Sequence, residues 1–270
     1  QPRTSDGVFW HKAIYANQVW LDGIFMGLPF YCSYALINYS DRKARAILDD
    51  AVHQILQTDL RTYDKTTGLW KHAWDETHSQ FWANQGNGQS RHTWARALGW
   101  YVMAIMECLD VMPNDYPRRA ELVALLQKTM QAVVQYQDKK SGVWYDVMDV
   151  KSSKNYLEST ASCMFSYVLL KGSRQGWLSS DFREAGKRAY QGILQRFIRV
   201  NNDLTLSLTD CCSVSGLGPG KGPFVPKGKE NYRRDGSFDY YMSEPVRNND
   251  PKGIGPFIWA SLEMEQHNAQ

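Results

Sequence analysis

The chain has 270 residues, 43% of them hydrophobic and 13% aromatic, enough for one large core or two ordinary domains. Its 31 basic and 28 acidic residues leave a formal charge of +3 with no long basic tract, which argues against a nucleic-acid partner but leaves room for a local pocket for a small anion. No run of about 18 apolar residues predicts a membrane helix, and the opening "QPRTSDGVFW" lacks the basic start and apolar middle of a signal peptide, so a soluble globular protein is expected.

In chain order, the apolar residues from Val19 to about Ile37 continue nearly all round, as in a buried helix, with Pro29 placed to kink it. "DRKARAILDDAVHQILQTDL" sets Ala44, Ile47, Leu48, Ala51, Val52, Ile55 and Leu56 on one stripe, with Asp41 as the expected N-cap. Further helices are predicted from about Thr93 to Leu109, Pro117 to Tyr136, Glu158 to Lys171 and Asp181 to Arg199, and a last one from near Gly255 or Pro256. Between them, "YDKTTGLWKHAWDE" and "QDKKSGVWYDVMD" share one form: a charged turn, a glycine, an apolar-Trp pair, then an aspartate. Such repetition suggests stacked helical hairpins whose loops return to a common face. From Cys211 to about Asp250 the composition turns to Gly, Pro, Lys and Tyr, and "DGSFDYYMSEP" reads as a strand-like return closing a long functional loop.

Five cysteines (Cys32, Cys108, Cys163, Cys211 and Cys212) form no CxxC pair. Buried free thiols are expected rather than a disulfide framework, and the compartment, cytoplasmic or periplasmic, stays open. No phosphate-binding loop, nucleophile elbow or zinc signature is present, and "GLGPGKG" has neither a preceding strand nor a Ser or Thr after its lysine. No cofactor and no metal are expected. What remains is a set of polar residues among tryptophans: "FWHK" (Trp10, His11, Lys12), "VWLD" (Trp20, Asp22), "KHAWDE" (His72, Trp74, Asp75) and "HTWARALGW" (Trp94, Arg96, Trp100). Indole faces stack on sugar rings while charged groups bond hydroxyls and carboxylates; the alternative is a helical core crossed by a few ion pairs.

"RTSDGVFWHKAIYANQVWLDGIFMGLPFYCSYA" resembles the unsaturated rhamnogalacturonyl hydrolases of glycoside hydrolase family 105, relatives of the unsaturated glucuronyl hydrolases. The resemblance continues through "GLWKHAWDE", "TWARALGW", "NYLESTASCMF" and "DGSFDYYMSEPVRNNDPKGIGPF" in order, over nearly the whole chain. It implies an all-α fold, an (α/α)6 barrel of six helical hairpins in a ring, with the site where loops converge at one end. Only about seven helices fit here, and members of the family carry a further stretch, with a second acidic residue, before the "RT…FWH" segment. A single catalytic domain over 1–270 is therefore expected to be incomplete at its N-terminus, completed by an upstream segment or a second chain.

The resemblance also implies a substrate, an oligosaccharide from a rhamnogalacturonan lyase whose non-reducing end is a 4,5-unsaturated galacturonic acid, the alternatives being an unsaturated glucuronyl hydrolase on ulvan, glycosaminoglycan or similar lyase products, or an inactive carbohydrate-binding remnant. Hydration of the C4=C5 bond would release it, with Asp22 as general acid/base. An aspartate with an ordinary pKa of about 3.9 is ionised at neutral pH, so desolvation by Trp20 and Phe25 is expected to raise Asp22. By the same resemblance His72 and Arg96 line the site, with Arg96 a candidate for bonding the substrate carboxylate or hydroxyls. Trp20, Trp94 and Trp100 are candidate stacking platforms, core packing being the alternative for the last two, and His11 and Lys12 add positive charge. Asp75 could be a second carboxylate, or a structural salt bridge in its loop.

Overall fold

The computed structural model describes residues 1–218 and 234–268; most of "GLGPGKGPFVPKGKE" lies outside the described residues. Among the described residues, short strand pairs punctuate eight helices. β1 (Gln18–Trp20) runs directly into α1 (Leu21–Asn38), followed by α2 (Asp41–Thr62), β2 (Tyr63–Asp64), β3 (Leu69–Trp70), β4 (Ala73–Asp75), α3 (Ala95–Val111) and α4 (Arg119–Gln135). Then come α5 (Ser159–Arg174), α6 (Ser180–Phe197), β5 (Ile198–Val200), β6 (Leu206–Leu208), β7 (Cys211–Cys212), α7 (Phe238–Ser243), β8 (Val246–Arg247) and α8 (Pro251–Asn268).

The helices form two rows. In the inner row α1 packs on α3, α3 on α5 and α5 on α8, while α2, α4 and α6 lie outside against α1, α3 and α5. This is the hairpin alternation of an (α/α)6 barrel, and it follows from burial. Fourteen of the residues of α3, from Ala95 to Leu109, are buried, as a helix flanked on both sides and backed by an outer layer must be. Each fully buried Leu, Ile or Met there contributes about 1.5–3 kcal/mol relative to exposure. Outer α2 and α6 bury single stripes instead. At the two ends of the inner row, Met26, Phe30, Tyr34 and Ile37 of α1 and Ile258, Trp259 and Leu262 of α8 face solvent.

Several predicted elements shift. Ser40, not Asp41, is the N-cap of α2. The last helix begins at Pro251, earlier than predicted, and accommodates Pro256 in its first turns. The expected strand-like return is instead the helix α7, because the Ser237 hydroxyl accepts the N–H of Tyr240 at 3.2 Å and caps it. The two repeated loops do share a geometry. Gly68 and Gly142 have φ of 73° and 78°, and their N–H groups donate to Asp64 O and Asp138 O, both at 2.8 Å. The following Trp70 and Trp144 are fully buried. Only glycine reaches such φ values without strain, so each glycine turns the chain back and drives the tryptophan inward.

Candidate active site

Asp22 is placed by main-chain pairing. β1 pairs antiparallel with β4, Trp20 opposite Ala73, and the N–H of Leu21 donates to His72 O at 3.1 Å. The first turn of α1 is thereby held against the residue preceding β4, and Asp22 Oδ2 lies 3.2 Å from Nε2 of His72. His11 is brought in from the other side: its N–H donates to Gln18 O at 2.8 Å, and its ring stacks on Trp20 with centroids 4.4 Å apart. Gly23 permits this approach, since a Cβ there would stand 2.8 Å from His11 Nδ1.

The N-termini of the inner helices converge on this point. Trp94 is the N-cap of α3 and Arg96 lies in its first turn; Glu158 caps α5, its carboxylate accepting Ala161 N at 2.7 Å and Cys212 N at 2.9 Å. Strand-like bridges stitch these ends together, Trp94 to Val147 and Tyr145 to Leu157. Exposed helix N-termini carry partial positive charge, which favours anions.

Charge around Asp22 decides its state, and here the expectation from sequence is overturned. Burial pushes its carboxyl up, but His72 first, with Arg96, outweighs that and leaves Asp22 below the ordinary carboxylate value. Apolar neighbours alone would have raised it; the imidazole fifty residues downstream was invisible to local sequence reasoning. Burial lowers His11 to about 4 against the opposing pull of Asp22, so its ring is neutral at neutral pH. Asp22 keeps 15% of its side chain exposed, whereas His72 is fully enclosed.

The other predicted residues divide by environment. Trp20 is 4% exposed and belongs to a small cluster with Ala73, Trp82 and Leu217. Trp94 is buried, its indole N–H donating to Asp146 Oδ1 at 2.9 Å, and Trp100 is buried against Phe25 with centroids 4.6 Å apart. Arg96 is buried over the Trp94 ring, and its terminal nitrogens donate to the carbonyls of Cys212 and Ser213; Nε alone has no partner. Lys12 is exposed, 6.0 Å from the Tyr15 ring centre. Among the described residues Asp75 has no salt-bridge partner and no hydrogen bond to Asp22: its carboxylate gathers the N–H groups of Thr77, Ser79 and Gln80 and the Thr77 hydroxyl, which orders the loop after β4.

Two further residues escaped the sequence. Asp146 is fully buried, and burial next to Glu158 raises it to about 8, overcoming the Trp94 N–H and Arg96. The signal was available in "VWYDVMD", where inward Trp144, outward Tyr145 and inward Asp146 alternate as in a strand. Tyr241 of α7 stands with its hydroxyl 2.8 Å from His72 Nδ1, and nothing local to "DYYMSEP" marked it. Among the described residues, His11 Nδ1 and Arg96 Nε are buried without hydrogen-bond partners, and Asp22 Oδ2 and His72 Nε2 have only each other, 3.2 Å apart. Native proteins pair nearly all such atoms, and these belong to residues that act electrostatically on one another around the partly exposed Asp22, as suits a place that meets a polar ligand. No group of three or more His, Cys, Asp or Glu among the described residues is arranged to hold a metal ion.

Comparison with known proteins bears on the fold and the family. The family model described as Glycosyl Hydrolase Family 88 matches residues 1–268. Protein Atu3128 of Agrobacterium fabrum is 35% identical over 244 residues, covering 88% of this chain and 97% of that protein. The unsaturated rhamnogalacturonyl hydrolase YesR of Bacillus subtilis is 24% identical over 178 residues, 64% of this chain and 48% of that protein. A solved glycoside hydrolase of family 105 from C. acetobutylicum ATCC 824 superposes with a TM-score of 0.90 at 42% identity, covering 98% of this chain and 70% of that one.

Proposed function

Since the chain belongs to Glycosyl Hydrolase Family 88, we propose that its substrate is an oligosaccharide ending in a 4,5-unsaturated uronic acid, and that Asp22 is the general acid/base that hydrates the C4=C5 bond. The observation that carries this reading is the set of unpaired buried polar atoms around Asp22, gathered where inner-helix N-termini meet. An anionic sugar ring flattened about its C4=C5 bond suits such a place: its carboxylate is attracted by Arg96 and the helix N-termini, and its hydroxyls have His11 and His72 to bond.

In the reaction, protonated Asp22 gives its proton to C4, and the cation developing at C5 is delocalised onto the ring oxygen. The Asp22 carboxylate then takes a proton from the water that adds at C5. The hemiketal opens to a ketone, and the hemiacetal left at C1 releases the rest of the chain as its alcohol. One carboxyl group serves as acid and then base, so the paired carboxylates of ordinary glycosidases are not required. In the free site Asp22 lies below the ordinary carboxylate value, so the proton is acquired as the substrate binds, when its like charge and the expulsion of water favour the neutral acid.

For the sugar itself we favour unsaturated galacturonate on rhamnogalacturonan lyase products, in line with the named activity of the B. subtilis relative. The test is disappearance of the ultraviolet absorbance of the conjugated double bond from unsaturated rhamnogalacturonan and glucuronan disaccharides. Turnover of the first, and its loss by a factor of about 10²–10⁴ in Asp22→Asn, is expected. Binding without any turnover by the unaltered chain would make it a carbohydrate-binding protein instead.

A further inference from the structure

The state of Asp22 depends on which nitrogen of His72 bears a proton, and the groups surrounding that ring bear on the answer. His72 has no exposure. Its Nε2 faces Asp22 and its Nδ1 faces the hydroxyl of Tyr241. Trp20 meets it edge-on at 5.4 Å and Trp94 lies at 5.0 Å, centroid to centroid, so the ring is packed on two sides by indoles. The charged or titratable groups bearing on the pair are His11 and Arg96 on the Asp22 side, and Tyr240, Asp146 and Asp149 around Tyr241.

We propose that Tyr241 is a positioning residue: its hydroxyl donates to Nδ1 of His72, holds the ring as the Nε2–H tautomer, and so turns a donor toward Asp22. Among the described residues Nδ1 is the one hydrogen-bond partner of the Tyr241 oxygen. A buried hydroxyl places its proton on an acceptor when one is in reach, and a neutral imidazole offers one acceptor nitrogen and one N–H. If Nδ1 accepts, Nε2 carries the hydrogen. The Tyr241 hydroxyl keeps its own proton, because burial and the neighbouring acidic groups push it well above the ordinary tyrosine value. The chain of groups is then Tyr241 O–H to His72 Nδ1, and His72 Nε2–H to the Asp22 carboxylate. Without the hydroxyl, only the Asp22 carboxylate still favours the Nε2–H form, against which the Nδ1–H form would set a lone pair, and Nδ1 is left buried with no donor. α7 thus acts on α1 through a residue of the loop before β4, although Tyr241 itself lies beyond Asp22's reach. This rests on the reading of Asp22 as the reacting acid, but the tautomer is a property of the free protein and is read without substrate.

The experiment is nitrogen NMR of the whole chain labelled with ¹⁵N-histidine, with the His72 signals assigned by their absence in His72→Gln. In the unaltered protein Nδ1 is expected at the position of an unprotonated ring nitrogen and Nε2 at that of an N–H. Tyr241→Phe keeps the ring volume and should collapse the pair toward a mixture of tautomers. It should also lower kcat roughly 10–100-fold, as when the outer partner of an oriented histidine is removed, with KM nearly unchanged and the alkaline limb of the rate profile, where Asp22 loses its proton, moved to higher pH. Tyr240→Phe, whose hydroxyl donates to Glu244 instead, should leave the His72 signals where they are. A proton on Nδ1 in the unaltered protein overturns the proposal even if Tyr241→Phe fails to fold, as does a folded Tyr241→Phe with unchanged His72 signals. A fixed Nε2–H tautomer in a protein that turns over no unsaturated uronide would leave Tyr241's role standing and remove the proposed reaction.

Discussion

Nε2 of His72 stands 3.2 Å from Oδ2 of Asp22, and this contact is the foremost of those that hold the carboxyl group below its ordinary value against burial. The free site holds Asp22 as a carboxylate, while the proposed reaction begins from the acid. Binding of an anionic substrate must therefore take up a proton. The affinity for a saturated uronide that cannot be hydrated is expected to fall as pH rises above the free-site pKa of Asp22, approaching tenfold per pH unit for full uptake of one proton. Titration calorimetry in buffers of different ionisation enthalpy reads the uptake directly. Asp22→Asn should abolish it, and uptake that persists in that variant would place the linked proton elsewhere.

Asp146 is the opposite case. Burial and Glu158 raise it to about 8, above the unfolded value of about 3.9. Between those pH values the native chain binds more protons than the unfolded one, so stability falls as pH rises through the window and levels off above about 8. Asp146→Asn keeps an acceptor for the Trp94 indole and cannot ionise. It should match the parent near pH 4 and exceed it at pH 8 by a few kcal/mol, measured by urea denaturation at both values. An equal difference at the two pH values would show that Asp146 does not titrate in that range.

Asp75 holds its loop rather than a proton. Its carboxylate accepts from Thr77, Ser79 and Gln80 with no exposure of its own. Asp75→Ala leaves those donors unpaired and should cost about 3 kcal/mol, roughly 5–10 °C in melting temperature. Because β4 positions His72, activity should fall with it. Asp75→Asn should recover part of both, and retention of full stability by the alanine variant would contradict the assignment.

The five cysteines are all free and buried, as the absence of paired spacings led us to expect. Cys32 and Cys108 approach within 3.9 Å as thiols between α1 and α3. Ellman's reagent should label none of them in the native protein and all of them once it is unfolded. Added reductant should leave the melting temperature unchanged; a drop would reveal a disulfide.

Periodicity carried most of the helices, because a stripe or an all-round apolar run needs only neighbours within a few turns to declare itself. The glycine-Trp-aspartate repeat likewise announced the two returning loops, since the positive φ at Gly68 and Gly142 is a local demand. α7 was misread because six residues are too few to show a helical period, and its cap is a single serine hydroxyl.

By itself the sequence determined the order of hairpins, the free thiols and the place of Asp22 at the head of a buried helix, all consequences of residue type and short-range spacing. Only the tertiary structure decided what Asp22 is. His72 arrives by the pairing of β1 with β4, Arg96 turns its terminal nitrogens to the carbonyls of Cys212 and Ser213, and Tyr241 reaches His72 from a helix 169 residues further along the chain. Coulomb and hydrogen-bond terms fall off over a few ångströms of space, not of sequence, so the charge on a buried carboxyl is fixed only once the chain has folded around it.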